Sequence, residues 1–395
     1  MAANTDFFQG ISPQAVLKHG ILTRYAYYFA GKAGKATNGK VAFIDGYAGE
    51  GRYADGNHGS PLLLASSSER AKGFNRDIKL AFVEQDEARR RQLRNTLKKA
   101  GVEPDQLLGG AFGDVVGPLL DSYIGRATLV FVDPFGLALD RSQLESILRR
   151  SGPRQPIDVL FHFSLLAVAR MARAELATKW KGGPPGPNAA KLDAALGGVD
   201  WRETFATSDD EDSATQIALK IAEQFGQAVG RGTGVRHTSI EVRERPGHLP
   251  KYLLMLFTRL DVAHWDFADL AGGAHVDWLQ HCDTASYREA VRQREERGAL
   301  SLFDEFESEP DRATVDKQVA QDLTPKLTRH LADLLKERHS LRPIDDVAAI
   351  YGPVLGRARG KHVRAAFRQL HRDGLIDDDC RGDFFARQIR WRGPR

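Results

Sequence analysis

The stretch Val41–Gly51, VAFIDGYAGEG, decides how this chain is read. Four apolar residues run into Asp45, and Gly46, Gly49 and Gly51 then punctuate a tight loop. Glycine has no Cβ and tolerates positive φ, so such a loop lets backbone approach a ligand closely. A glycine-rich turn with no ligand has the same composition. The decision therefore rests on what surrounds the loop.

Downstream, short apolar runs alternate with amphipathic stretches, the pattern of a parallel α/β sheet. Strands are expected at Val41–Asp45, Ile78–Glu84, Gln106–Leu108, Thr128–Asp133 and Ile157–Phe163, with helices at 61–72, 86–100, 114–123 and 141–150. Ser60-Pro61 reads as an N-cap hydroxyl followed by a first-turn proline. Upstream, residues 13–30 have helical apolar spacing. Residues 164–230 read as a mainly helical insertion with a flexible centre, KGGPPGPN at 181–188. Thr238–Arg243 and Tyr252–Thr258 then suggest an antiparallel hairpin at the sheet edge. An Arg/Glu-rich helix at 286–297 leads to an acidic linker, DEFESEPD at 304–311.

Three strand tips carry the candidate chemistry. The loop order D-G-x-x-G-x-G directly follows the first buried strand, where open α/β sheets bind ligands. It is closer to the loops that hold S-adenosylmethionine (SAM) than to the G-x-G-x-x-G of dinucleotide enzymes, which ranks a nicotinamide enzyme third. GKAGKAT at 31–37 has the wrong spacing for a P-loop. Asp45, Gly46, Gly49 and Gly51 are thus the candidate cofactor cradle. Glu84 ends the strand IKLAFVE, where an acid can accept hydrogen bonds from both hydroxyls of a ribose, although a solvated strand-end acid is the bland alternative. Asp114, in GGAFGDVV, is either an adenine contact or a helix N-cap.

The third tip is Asp133-Pro134-Phe135-Gly136 after TLVFV. It resembles the [DNS]-P-P-[YFW] of amino-methyltransferases, with the second proline missing and the aromatic one place earlier. That resemblance implies that Asp133 and the Pro134 carbonyl accept from a target NH₂ while Phe135 stacks on the base. A structural turn is the alternative. His162, ending the fifth strand, reads as a substrate contact, a general base or a structural histidine. His264, His275, His281 and Cys282 lack metal-ligand spacing, so no metal is expected.

Composition bounds the class. The 395 residues are 42% hydrophobic and 27% charged, and no run approaches the ~20 apolar residues of a membrane span. The N-terminus lacks a basic flank with an apolar core, and Cys282 and Cys380 are the only cysteines, so a cytoplasmic protein without disulfides is expected. The net charge of +4 divides unevenly, with +6 over residues 357–395 and −2 elsewhere. Such a local excess points to nucleic acid as a partner.

That basic region reads as a winged helix, with helices at Leu323–Arg338, Ile344–Tyr351 and Gly360–Arg372 and a ribbon of Leu375-Ile376 with Phe384–Trp391. In the third helix Val363, Ala366, Phe367 and Leu370 form the core stripe. Lys361, Arg364, Arg368 and Arg372 form the opposite face and, with Arg387 and Arg390 of the wing, are the candidate phosphate contacts. A solvated helix in a protein-binding winged helix is the alternative.

Lys18-His19 with ILTRY, IDGYAGEGRY, GSP at 59–61, FVEQD at 82–86 and VDPFG at 132–136 together resemble the three-Cys-motif partner (TcmP) family. The resemblance covers about residues 1–290 and extends toward the C-terminus. It implies a methyltransferase-like protein associated with a radical-SAM-like protein bearing a three-cysteine motif. The chain has no C-x-x-x-C-x-x-C of its own.

The expected architecture is α/β: a Rossmann-like class I methyltransferase sheet with a helical insertion over 1–290, a helix and acidic linker over 291–320, and a basic winged-helix domain over 321–395. The expected activity is SAM-dependent methylation of a nucleic acid at an exocyclic base nitrogen. The alternative is a non-catalytic, nucleic-acid-binding partner of a radical-SAM-like protein.

Overall fold

In the computed structural model the described residues are 12–53, 55–134, 136–179, 186–208, 213–296 and 309–393. Leu22–Leu260 forms one unit, and Met1–Ile21 with Asp261–Arg395 forms another, the division falling within α1 (Pro13–Ala36).

The apolar runs of the first unit become β1 (Lys40–Asp45), β2 (Asp77–Val83), β3 (Gln106–Leu108), β4 (Ala127–Val132) and β5 (Ile157–Phe163), followed by β6 (Arg236–Val242) and β7 (Tyr252–Thr258). They pair in the order β3-β2-β1-β4-β5-β7-β6. The first five are parallel, and β7 is antiparallel to both β5 and β6. This is the class I methyltransferase sheet. β4 is buried at all six positions, as a central strand covered on both faces must be. The expected hairpin is present, with β7 inserted beside β5 and β6 on the edge.

The crossovers are α2 (Ser60–Ala71), α3 (Glu87–Lys99), α4 (Phe112–Ser122) and α5 (Arg141–Arg149). Parallel pairing brings the carboxyl ends of β1, β2, β4 and β5 to one edge of the sheet. One local expectation is corrected. Gly59, not Ser60, caps α2, and it makes no side-chain capping bond. A Cβ on Gly59 would lie 3.0 Å from the Gly51 carbonyl carbon, so any side chain at the cap position would press on the glycine loop. The helical insertion comprises α6 (Leu165–Lys179), α7 (Pro187–Leu196), α8 (Trp201–Ala206) and α9 (Ala214–Thr233). Residues 180–185 of its expected flexible centre lie outside the described residues.

In the second unit, α10 (Asp261–Glu296) is a 36-residue helix, far longer than the 286–297 segment that the sequence suggests. Gly272 lies inside it, where a Cβ would stand 2.3 Å from the Ala358 carbonyl oxygen. That glycine serves close packing, not a turn. α11 (Arg312–Arg338) starts at an Asp311 cap that accepts from the Thr314 amide at 2.8 Å, well before the expected Leu323. The acidic linker lies outside the described residues through 308. α12 (Val347–Tyr351) and α13 (Gly360–Arg372) complete three helices, and Val363, Ala366, Phe367 and Leu370 are buried as expected.

The ribbon differs from the expected one. β9 (Ile389–Arg390) pairs with β8 (Ser340–Leu341), and Ile376 joins through a single bridge to Trp391. A two-residue strand directly after a helix carries no period-2 signal. The region remains winged-helix-like, a helix triad with a small antiparallel ribbon. Among the described residues, no helix is long and apolar enough to cross a membrane.

Candidate active site

Asp45 closes β1 fully buried, and its Oδ1 accepts the Tyr47 amide at 3.1 Å, which turns the chain sharply off the strand. Backbone bonds then fix the loop across both neighbouring strands. The Gly46 amide donates to Phe131 on β4, and the Ala48 amide to Val83 on β2, each at 2.9 Å. Gly46 could not be larger, because a Cβ there would lie 2.9 Å from the Phe112 ring. Gly49 has φ +61° with no atom within 4 Å of a built Cβ, so it combines a backbone that side chains resist with open space in front of it.

Glu84, 7% exposed, follows β2 and meets that loop directly. Its Oε2 accepts the Gly49 amide and its Oε1 the Asp86 amide, both at 2.9 Å. A carboxylate offers about four acceptor sites, so two remain for a pair of ligand hydroxyls. The inserted RYADGNHG does not separate loop and acid. It folds back on itself, with Arg52 bridged to His58, and returns through the Gly59 amide to the Gly51 carbonyl at 2.9 Å. A cradle with open space before Gly49 and a two-hydroxyl acceptor beside it fits the methionine and ribose portions of SAM.

Tyr47, within the glycine loop, is a candidate that the sequence motifs did not single out. Its ring lies 5.7 Å from that of Phe112, and its hydroxyl donates to the Ala138 carbonyl at 3.3 Å, tying the glycine loop to the segment after β4. Burial, aided by the Asp140 charge, pushes its pKa up to about 12, so it stays a neutral donor. The aromatic between Gly46 and Gly49 was the available signal. Asp114 is exposed in the first turn of α4, and Ala111 occupies the cap, so the capping alternative for Asp114 does not hold.

Asp133 and the buried Pro134 follow β4, whereas Phe135 lies outside the described residues. Val132 pairs with Phe161 on β5, and the next step of that register sets Asp133 beside His162. Asp133 Oδ1 stands 3.4 Å from His162 Nδ1, with 22% and 13% of the two side chains exposed. The other neighbour of the imidazole is Tyr252 of β7, ring centroids 4.2 Å apart. Tyr252 had no motif to flag it. It is recruited by the reversed strand, which only tertiary pairing reveals.

In the second unit the expected phosphate contacts divide into two groups. Lys361 Nζ is 2.5 Å from Asp316 Oδ2, and Arg364 donates to the Gly382 carbonyl while stacking 4.3 Å over Phe385. Arg387 pairs with Asp378 at 3.3 Å. Arg368 and Arg372 on α13 and Arg390 on β9 are exposed, as Lys361 and Arg387 are, but no ion pair to an acid is described for them, and Arg372 bonds to Gln369 of its own helix among the contacts described.

No protein-family model matches this sequence, and no curated protein matches it. The chain is similar in structure to the plantazolicin methyltransferase BamL, at 10% identity over 65% of this chain and 88% of that one, TM-score 0.35. It is similar to the methyltransferase domain of bacterial CtHen1, at 12% identity over 60% and 99% of the respective chains, TM-score 0.31. A third is a putative caffeoyl-CoA O-methyltransferase from Staphylococcus aureus, at 11% identity over 59% and 82%, TM-score 0.28. The methyltransferase-like fold rests on the strand order itself, and none of these likenesses ties the chain to the TcmP family.

Proposed function

We propose that this chain is a SAM-dependent methyltransferase that acts on a nucleic acid, at an exocyclic base nitrogen. The observation that carries the reading is the 2.9 Å bond from the Gly49 amide to Glu84 Oε2, which joins the glycine loop to a hydroxyl-accepting acid on the adjacent strand. In this reading Asp45–Gly51 hold the methionine portion, Glu84 the ribose, and Asp114 the adenine. Asp133 and the Pro134 carbonyl accept the two N–H groups of the acceptor amine, and Phe135 stacks on its base. When bound, SAM supplies an electrophilic methyl group on a sulfonium.

The nucleic-acid part rests on the +6 charge of residues 357–395. Arg368, Arg372 and Arg390 are its leading phosphate contacts, because Lys361 and Arg387, although equally exposed, are paired with acids, and Arg364 is held by a carbonyl and a ring. Two buried cysteines outside any disulfide, Cys282 and Cys380, fit a reducing cytoplasm. A second reading follows from the motif resemblance: a nucleic-acid-binding partner of a radical-SAM-like three-cysteine-motif protein that does the chemistry.

The test is methyl transfer from labelled SAM to DNA and RNA oligonucleotides by the wild type and Asp133→Ala. Turnover that disappears in the variant, with SAM affinity kept, supports the enzyme. SAM binding without turnover on any nucleic acid supports the partner role.

A further inference from the structure

We infer that the surface around Phe74 is a stacking platform for an unpaired base of the nucleic-acid partner, with lysines beside it for the adjoining phosphates. The inference rests on the proposed function only in taking the partner to be a nucleic acid. Its basis is a juxtaposition that no motif contains: an exposed ring, a second ring under an arginine, and a stretch of helix without acids.

Phe74 ends the short 3₁₀ turn Lys72–Phe74 between α2 and β2. Its ring meets Tyr27 of α1, with centroids 4.8 Å apart, and the Arg70 guanidinium lies 4.9 Å over the Tyr27 ring. Phe74 is nevertheless 37% exposed. The turn that presents it is fixed by Arg76, which donates to the carbonyls of Phe74 at 2.7 Å, Ala30 at 2.9 Å and Gly31 at 3.1 Å. Two glycines let this turn close on α1. A Cβ on Gly31 would lie 3.1 Å from the Phe74 ring, and one on Gly34 would lie 2.8 Å from Arg76 Nε. A ring presented on so constrained a turn has little freedom to lose when a base stacks on it.

The charge around the ring suits a polyanion. Residues 22–40 carry Arg24, Lys32, Lys35 and Lys40 and no acid, and residues 69–79 carry four more cations against Glu69 and Asp77. Both acids are already paired, Glu69 with Lys72 and Asp77 with Arg126, each at 2.7 Å. Lys32 and Lys35 directly follow the two glycines and are exposed. An aromatic face within a positive surface matches a single strand, whose bases offer π-faces and whose phosphates flank them. In a duplex those faces are already stacked on one another. The apolar part is a single ring, far short of the ~800 Å² that a protein partner covers. The patch lies at the amino ends of β1 and β2, which start at Lys40 and Asp77, whereas the glycine loop follows the carboxyl end of β1. The six residues of β1 set those edges about 20 Å apart, so the platform holds a flanking nucleotide and not the target base.

Anisotropy titrations of the whole chain test this with labelled oligo(dT), oligo(U), a duplex of the same length and a strand of the same length with abasic sites. Phe74→Leu keeps an apolar side chain and removes the ring. It is expected to weaken binding of either intact single strand about 10-fold, and of the duplex or abasic strand by less than about twofold. Lys32→Gln with Lys35→Gln is expected to lower the salt slope for the single strand by about 1.4, two phosphate contacts at about 0.7 each, whereas Phe74→Leu leaves the slope unchanged.

Equal losses on intact and abasic strands mean that the ring acts only through the fold and overturn the platform. A Phe74→Leu protein that binds every strand as the wild type does overturns it as well. Polyglutamate that displaces oligo(dT) as effectively as oligo(dT) itself, charge for charge, makes the patch a surface for acidic protein and overturns the stacking role. Methyl transfer is read separately: base-dependent binding through Phe74 with no turnover removes the enzyme reading and leaves the platform standing.

Discussion

Replacing Glu84 with glutamine probes the joint between loop and acid with one atom changed. The carboxylate accepts the Gly49 amide through Oε2 and the Asp86 amide through Oε1. In Glu84→Gln one of these oxygens becomes an NH₂, which opposes a backbone N–H instead of accepting from it. One charge-assisted bond is lost, worth about 1.5–3 kcal/mol, and the other weakens as the charge disappears. The free protein should therefore lose about 2 kcal/mol, seen as a Tm lower by roughly 4–8 °C for a unit of this size. Binding loses more, because one of the two sites left for ribose hydroxyls also becomes a donor. A combined loss of about 3 kcal/mol corresponds to a Kd for SAM roughly 150-fold weaker. Calorimetric titration of SAM and of S-adenosylhomocysteine reads this directly, and the two ligands should lose affinity equally, since they share the ribose. A Kd within threefold of wild type, alongside the lowered Tm, would mean that Glu84 only staples the loop, and the reasoning would fail.

Three other outcomes follow from charges elsewhere. Asp158 is the second residue of β5, accepting from Tyr25 Oη at 2.7 Å, and burial raises its pKa to about 6. Its folded value exceeds the ~3.8–3.9 of an unfolded chain, so its contribution is fullest below that range and is lost as pH rises through 6. Asp158→Asn should thus gain on the order of 1–2 kcal/mol relative to wild type between pH 4 and pH 8 in urea melts, and a constant difference would contradict it. His362 has the opposite sign. Burial first, then the Lys361 charge, lower it to about 4, so stability present above pH 6.5 is lost as pH falls toward 4. His362→Gln should remove most of a loss of about 2–3 kcal/mol, followed by a fluorescent probe in the second unit. Finally, Arg368→Ala with Arg372→Ala should reduce the salt slope of nucleic-acid binding by about 2, whereas Lys361→Ala, already paired with Asp316, should change it by much less.

The sheet was legible because buried parallel strands must be continuously apolar: ATLVFV and IDVLFHF admit few other readings. Glu84 was found as a strand-tip acid, but its bond to Gly49 was not, because the 52–59 hairpin hides how near two positions 35 residues apart lie. Only the last part of long α10 was legible, as the Arg/Glu-rich 286–297 segment, and the tolerance of Gly272 inside the helix is explained only by the Ala358 carbonyl pressing against it. The expected bridge of Ile376 to Trp391 is present, but the further pairing of Ile389–Arg390 with Ser340–Leu341 was missed, since that strand is too short to show alternation. Tyr252 next to His162 lies beyond pattern reading altogether, because the pair forms only when β7 runs back against β5. Local chemistry exposes strands and loops; which strand tips meet depends on pairing over long separations.

The most direct check on the central idea is amide hydrogen exchange of the whole chain with and without saturating SAM. Slower exchange across 46–51 and 84–86, with 94–104 at the far end of α3 unchanged, is the expected pattern. SAM that binds while leaving the Gly49 and Glu84 regions unaltered, or that does not bind at all, would contradict the account.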